Sequence, residues 1–279
     1  MQSRETERRI KINQKWLAIM TIILSCCALV NLIASDATPQ ETNKKTSGKL
    51  IMESTSPIIS IADSSIVRIP VKECGEPLID LRNQTEIAFG PPPEKPDNIC
   101  YTKVRKTVYE MLCKAQEILP KGVRFCLYEG WRSLDLQSEL FQKMYQNNQE
   151  HFPQLNHEEL FMETMKLVSP STLLDGSMNI PPHATGAAID IYLIDENGVL
   201  LDMGLPIDQW STDIGACLSQ TNSSYINPNA RHNREIMSNA LSQMGFVNYP
   251  NEYWHWSYGD RYWAYCTQAS WAIYDSIDR

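Results

Sequence analysis

Four residues in two short stretches have the types and spacing for metal chemistry. His183 and Asp190 lie in Pro-Pro-His-Ala-Thr-Gly-Ala-Ala-Ile-Asp, and Glu252 and His255 lie in Glu-Tyr-Trp-His. Two histidines and one carboxylate are the protein ligands of a catalytic zinc that keeps one position open for water. A second carboxylate, three residues before the last histidine, suits a proton shuttle beside such an ion. The set points to metal-assisted hydrolysis with one Zn²⁺ per chain, held by His183, Asp190 and His255 and served by Glu252.

The backbone constrains how these four can meet. His183 and Asp190 are seven residues apart and would face opposite sides of one straight strand. His183 therefore belongs on the loop before Gly186, and Asp190 on the strand that follows. Glu252 and His255 diverge for the same reason, so Glu252 belongs to a turn after Pro250 and His255 to a strand. The aromatic neighbours Tyr253, Trp254, Trp256 and Tyr258 supply apolar walls, which raise a carboxyl pKa towards the range of a general base. They are equally suited to ordinary core packing. Arg132 follows a strand beside Trp131, where it is available to stabilise a tetrahedral oxyanion.

The elements that must position these groups read as an α+β domain. Pro77–Leu81 reads as a short strand, and the Gly90–Pro93 run as a loop. Apolar residues at helical spacing predict a helix over Thr102–Leu119, stopped by Pro120 and Gly122. Val123–Tyr128 reads as a strand, and Ser133 and Asn156 as caps of helices through Tyr145 and Val168. Ala187–Ile194 is apolar and β-branched, hence a strand. Asn197-Gly198 favours a type I′ turn into Val199–Leu201. Asn233–Met244 reads as a helix with Gly245 after it, and Phe246–Val247 and Tyr253–Tyr258 as strands. Helices alternate with hairpins rather than with repeated βαβ units. The expected fold is a single domain with a mostly antiparallel central sheet, flanked by helices and carrying the zinc site.

The chain has 279 residues, 43% of them hydrophobic, which is ordinary for a globular core. Its formal charge of −8 argues against nucleic acid as a partner. Arg8, Arg9, Lys11 and Lys15 precede an apolar run from Trp16 to Ala34, close to the roughly 20 residues that span a bilayer. Residues 1–35 therefore read as a signal peptide or membrane anchor. Residues 36–65, rich in Thr, Ser, Lys and Pro, read as a flexible linker, and residues 66–279 as the domain that carries the zinc site. An exported, periplasmic or cell-envelope location follows, with the membrane met only through the N-terminal segment. Six of the eight cysteines lie beyond the leader. An even number permits disulfides. Cys74 with Cys100 and Cys217 with Cys266 are the near-neighbour pairs, and free thiols are the alternative.

With these residues in view, the chain resembles the zinc D-alanyl-D-alanine peptidases. His183-Ala-Thr-Gly-Ala-Ala-Ile-Asp190 matches their His-x-x-Gly-x-Ala-x-Asp core, and Glu252-Tyr-Trp-His255 through Asp260 is similar to the terminal motif of the VanX-like dipeptidases. Ile79–Arg82, Gly130–Arg132, Asp202–Gly204 with Ile207-Asp208, and Asn233–Glu235 leading to Met244–Phe246 follow in the family's order. The resemblance implies Zn²⁺ on His183, Asp190 and His255, proton transfer by Glu252 and oxyanion stabilisation by Arg132. It also implies contact of Asp208 with the free ammonium of the substrate. The implied substrate is the D-Ala-D-Ala dipeptide or a peptidoglycan stem peptide. A D,D-carboxypeptidase and a non-catalytic zinc-bearing wall-binding module are the alternatives. The chain departs from the family at Pro181, where Ser is usual, and at Trp131, where Tyr is common.

Overall fold

A computed structural model describes residues 58–278. The expected leader and most of the expected linker lie outside the described residues. Among those described, no helix is long and apolar enough to cross a membrane.

The elements run α1 (Ser64–Val67), β1 (Leu78–Asp80), β2 (Ala88–Phe89), β3 (Lys103–Arg105), α2 (Lys106–Gln116), β4 (Arg124–Glu129), α3 (Leu134–His151), α4 (His157–Thr164), β5 (Ala188–Ile194), α5 (Pro228–Gln243), β6 (Val247–Asn248), β7 (His255–Ser257) and α6 (Arg261–Thr267). Five strands form the central sheet in the order β2-β4-β5-β7-β6. Only β2–β4 is parallel, and the other three pairings are antiparallel. The fold is thus α+β with a largely antiparallel sheet.

Apolar side chains are buried in two main clusters, one of which includes the sheet. Val108 and Leu112 of α2 and Met237 and Leu241 of α5 pack with Phe125, Leu127, Ile189 and Ile191 in the main core. A second cluster joins Leu136, Leu140 and Phe141 of α3 to Phe161 of α4, with Met165 and Val168 beyond it. Ser133 and Asn156 cap α3 and α4 as their types dictate, and Asn156 completes a capping box with Glu159.

Several local expectations are corrected. Lys103–Arg105 pairs antiparallel with β1, so the helix expected from Thr102 begins at Lys106. Pairing with another strand overrides helical spacing there. The turn before Val199 is displaced by one residue: the Gly198 N–H donates to the Asp195 carbonyl, and Gly198 alone has positive φ. That excludes type I′, which needs two such residues in succession. The Asp195 carboxylate fixes this turn by accepting from the backbone N–H groups of Asn197 and Val199. Helix α5 starts earlier than expected, at Pro228 behind its cap Asn227. The helix after Asn156 stops at Thr164, and the last long strand shrinks to His255–Ser257. All six described cysteines are free, so neither suggested disulfide is present. Packing begins ahead of Ile66, with Ile61 and Ala62 already buried.

Arg234 of α5 anchors the long connection between β5 and α5. Its buried guanidinium donates to the carbonyls of Met203 (2.8 Å), Leu218 (2.9 Å) and Gln220 (2.6 Å) and lies over the Tyr253 ring. Burial draws its pKa down to about 10. Replacing it with Met leaves these carbonyls without their donor. We expect Arg234→Met to lower unfolding free energy by about 3 kcal/mol, read as a reduced denaturant midpoint.

Candidate metal centre

The register of three neighbouring strands creates the site. Asp190 on β5 stands opposite Glu129 on β4 and opposite His255 on β7. Directly opposed residues share a face, so all three side chains project to the side covered by α3 and α4. Ile189, Ile191 and Trp256, one step along, face the main core. Glu129 joins the row only because β4 slips register between Leu127 and Glu129. Leu127 pairs with Ile191, and without the bulge Tyr128 would oppose Asp190. A bulge of this kind re-aims the next side chain.

His183 enters from outside the sheet, as its spacing from Asp190 requires. It sits in the 3₁₀ turn Pro182–Thr185, which ends at Gly186 with φ 69°. The left-handed backbone angle at Gly186 favours glycine, and a β-carbon there would also press on the tip of the Leu78 side chain at 2.7 Å. The His183 Nδ1–H donates to the Gly130 carbonyl at 2.7 Å, and the Arg132 N–H donates to the His183 carbonyl at 3.2 Å. A carbonyl can only accept, so the His183 proton is on Nδ1 and the Nε2 lone pair points into the site.

His183 Nε2, His255 Nδ1 and Asp190 Oδ1 form a tight triangle. The separations are 3.2 Å between the histidine nitrogens, 3.1 Å from His255 to Asp190, and 3.3 Å from His183 to Asp190. A tetrahedral zinc bound at about 2.0–2.1 Å needs its ligand atoms about 3.3 Å apart. All three residues are buried. Donor types, spacing and burial therefore fit one divalent zinc ion.

Glu252 lies on the turn between β6 and β7, as expected. Its N–H bonds the Tyr249 carbonyl, its own carbonyl accepts from His255 N–H, and Asn248 Nδ2 bridges the Glu252 and His255 carbonyls. Its carboxylate comes within 3.7 Å of His255 Nδ1. Burial, reinforced by the charge of Asp190, raises its pKa well above the ordinary carboxylate range. Burial opposes ionisation of Asp190 too, but His183 and His255 outweigh it and hold that carboxyl well below its usual value.

Arg132 joins the group from the loop after β4. It pairs with Glu129, donates to Gln137 Oε1 at 2.9 Å and reaches within 3.8 Å of Asp190. Burial alone would weaken its charge, and Glu129 more than offsets that. Glu129 and Gln137, which hold the Arg132 side chain in the cleft, are residues that the sequence reading missed. Gln137 is itself held by a bond from Nε2 to the Ser169 carbonyl. The spacing of Glu129 and Arg132, three residues apart, was a visible signal, but the bulge that aims Glu129 inward was not.

A cleft lies over the triangle. Leu140, Met165, Val168, Ile207 and Trp254 supply apolar walls. Asp208 is not brought together with the other predicted site residues. It is exposed on the turn Ile207–Thr212, whereas Ile207 and Trp210 of that turn line the cleft.

Residues 96–271 match the Peptidase M15 family, described as D-Ala-D-Ala dipeptidase. A D-alanyl-D-alanine dipeptidase of Synechocystis sp. is 25% identical over 224 residues, covering 71% of this chain and 87% of its own length. One from Escherichia coli is 33% identical over 76 residues, covering 26% of this chain and 35% of its own. A solved LD-carboxypeptidase aligns over 71% of this chain and 74% of its own at 17% identity and a TM-score of 0.34, a likeness too weak to bear on function.

Loss of groups that merely orient a metal ligand costs about 10–100-fold in affinity, and loss of a ligand costs more. Calorimetric titration should therefore give one Zn²⁺ per wild-type chain, and His255→Ala should weaken binding by at least about 100-fold. Equal affinity in the two proteins would exclude His255 as a ligand.

Proposed function

The chain belongs to the M15 peptidase family, and from that premise we propose that it is a zinc-dependent dipeptidase that hydrolyses D-Ala-D-Ala to two D-alanines. The observation that carries this reading is the triangle of His183, Asp190 and His255 with the Glu252 carboxyl beside it.

A zinc ion held by His183, Asp190 and His255 would polarise the scissile carbonyl and acidify a water molecule. The protein's own groups do the rest. Glu252, whose pKa is raised by burial and by the charge of Asp190, accepts a proton from the attacking water and delivers it to the leaving amine. Arg132, kept charged and fixed by Glu129 and Gln137, offers positive charge to the tetrahedral oxyanion. The apolar walls of Leu140, Val168 and Ile207 suit short methyl side chains and exclude bulk water. Modest identity to relatives named as D-alanyl-D-alanine dipeptidases supports the choice of substrate.

The same reading links the enzyme to peptidoglycan turnover and places it outside the cytoplasmic membrane. Its basis for location is the basic cluster and apolar run at the start of the sequence.

The test is release of D-alanine from D-Ala-D-Ala, with and without a chelator. Glu252→Gln should keep its zinc and lose about 10²–10⁴ in kcat. Arg132→Met should lose about 10²–10³, with most of the loss in kcat rather than KM. Full turnover by Glu252→Gln would remove Glu252 from the mechanism.

A further inference from the structure

The segment ahead of α1, expected to be linker, forms part of the cleft wall. Ile61 is buried with Ile66, Tyr249 and Tyr262, and Ile59 and Val247 pack against that cluster. The segment has a fixed shape: the Asp63 N–H donates to the Ser60 carbonyl at 2.9 Å, and Ile61 packs against Tyr249. Asn251 Nδ2 holds the Tyr249 hydroxyl at 3.0 Å, and the Tyr249 ring stands edge-on to His255 with centroids 6.2 Å apart.

This strap lies between two recesses. Ile61 lines the metal cleft, together with Tyr249 and Met165. Ile58 and Ser60 line a second, wider groove with Met162 and Lys166, and Tyr249 borders that groove too. One short segment and one tyrosine ring therefore separate the metal cleft from space that could extend it.

We propose that Ile61 is a specificity-determining residue that sets substrate length: with Tyr249 behind it, it closes one end of the cleft, so a dipeptide fits and a longer peptide is refused. The proposal rests on the peptidase reading above. It concerns a part of the chain ahead of the family match, which begins at residue 96. Truncating Ile61 opens the cleft towards the second groove without touching the zinc ligands, Glu252 or Arg132.

The test compares D-Ala-D-Ala with an N-acetylated tripeptide ending in D-Ala-D-Ala, using the full chain loaded with zinc. The wild-type protein should cleave the dipeptide in strong preference. Ile61→Ala should raise the tripeptide-to-dipeptide ratio of kcat/KM by about tenfold or more while binding the same amount of zinc. Ile61→Val, which keeps most of the packing, should move the ratio in the same direction by less and serves if the alanine variant does not fold. An unchanged ratio in a zinc-loaded variant overturns the role of Ile61 and leaves the dipeptidase reading standing. Wild-type protein that cleaves both peptides equally also overturns the role of Ile61. No cleavage of either peptide by wild-type protein overturns the dipeptidase reading, and this inference with it.

Discussion

Asp190 and His255 face each other across adjacent antiparallel strands, and Glu129 faces Asp190 from the other side. Everything chemical in the domain is hung on that lateral row. Because strand side chains alternate with a period of two, a slip of one residue in β7 would turn His255 into the core and Trp256 into the cleft. The apolar residues on the opposite face make such a slip costly, since Ile189, Ile191 and Trp256 are fully committed to the main core. The packing of α2 and α5 on one side of the sheet thus holds the polar groups in place on the other. Gly130 adds a second constraint: a β-carbon there would meet the Lys103 carbonyl at 2.5 Å, so the loop that carries Arg132 lies tight against β3.

The electrostatics follow from this crowding. Asp190 and Glu252 are both buried carboxyls, yet their environments push them in opposite directions. Asp190 has two imidazoles against it and stays ionised. Glu252 has Asp190's charge nearby and is driven towards protonation. Two acids held apart in this way are suited to different tasks, one as a permanent anion and one as a group able to exchange a proton. Glu129 does a third task, because its charge is spent on Arg132.

Much of this was legible in the sequence where residue type alone fixes the chemistry. The meeting of His183, Asp190 and His255, Glu252 on a turn and His183 on a loop all follow from ligand preference and strand parity. The helix caps Ser133 and Asn156 were legible for the same local reason. What escaped depended on distant parts of the chain. Lys103–Arg105 continues a helical apolar spacing but is captured by β1. Glu129 reaches the site through a register shift that no residue type announces. Ile61 sits in a stretch of Ser, Thr and Pro that reads as linker, and only its contact with Tyr249 and Tyr262 makes it wall. Asp208, assigned by resemblance, lies exposed on the turn Ile207–Thr212.

The guanidinium of Arg234 gathers three carbonyls from the two ends of one long connection. A knot tied at a single point comes undone all at once. Fraying of that connection one residue at a time would strand buried acceptors, so its backbone amides should exchange with solvent as one cooperative unit. Ile207 and Trp210 ride on that unit, which makes the breathing of this side of the cleft a rare concerted event rather than a continuous flutter.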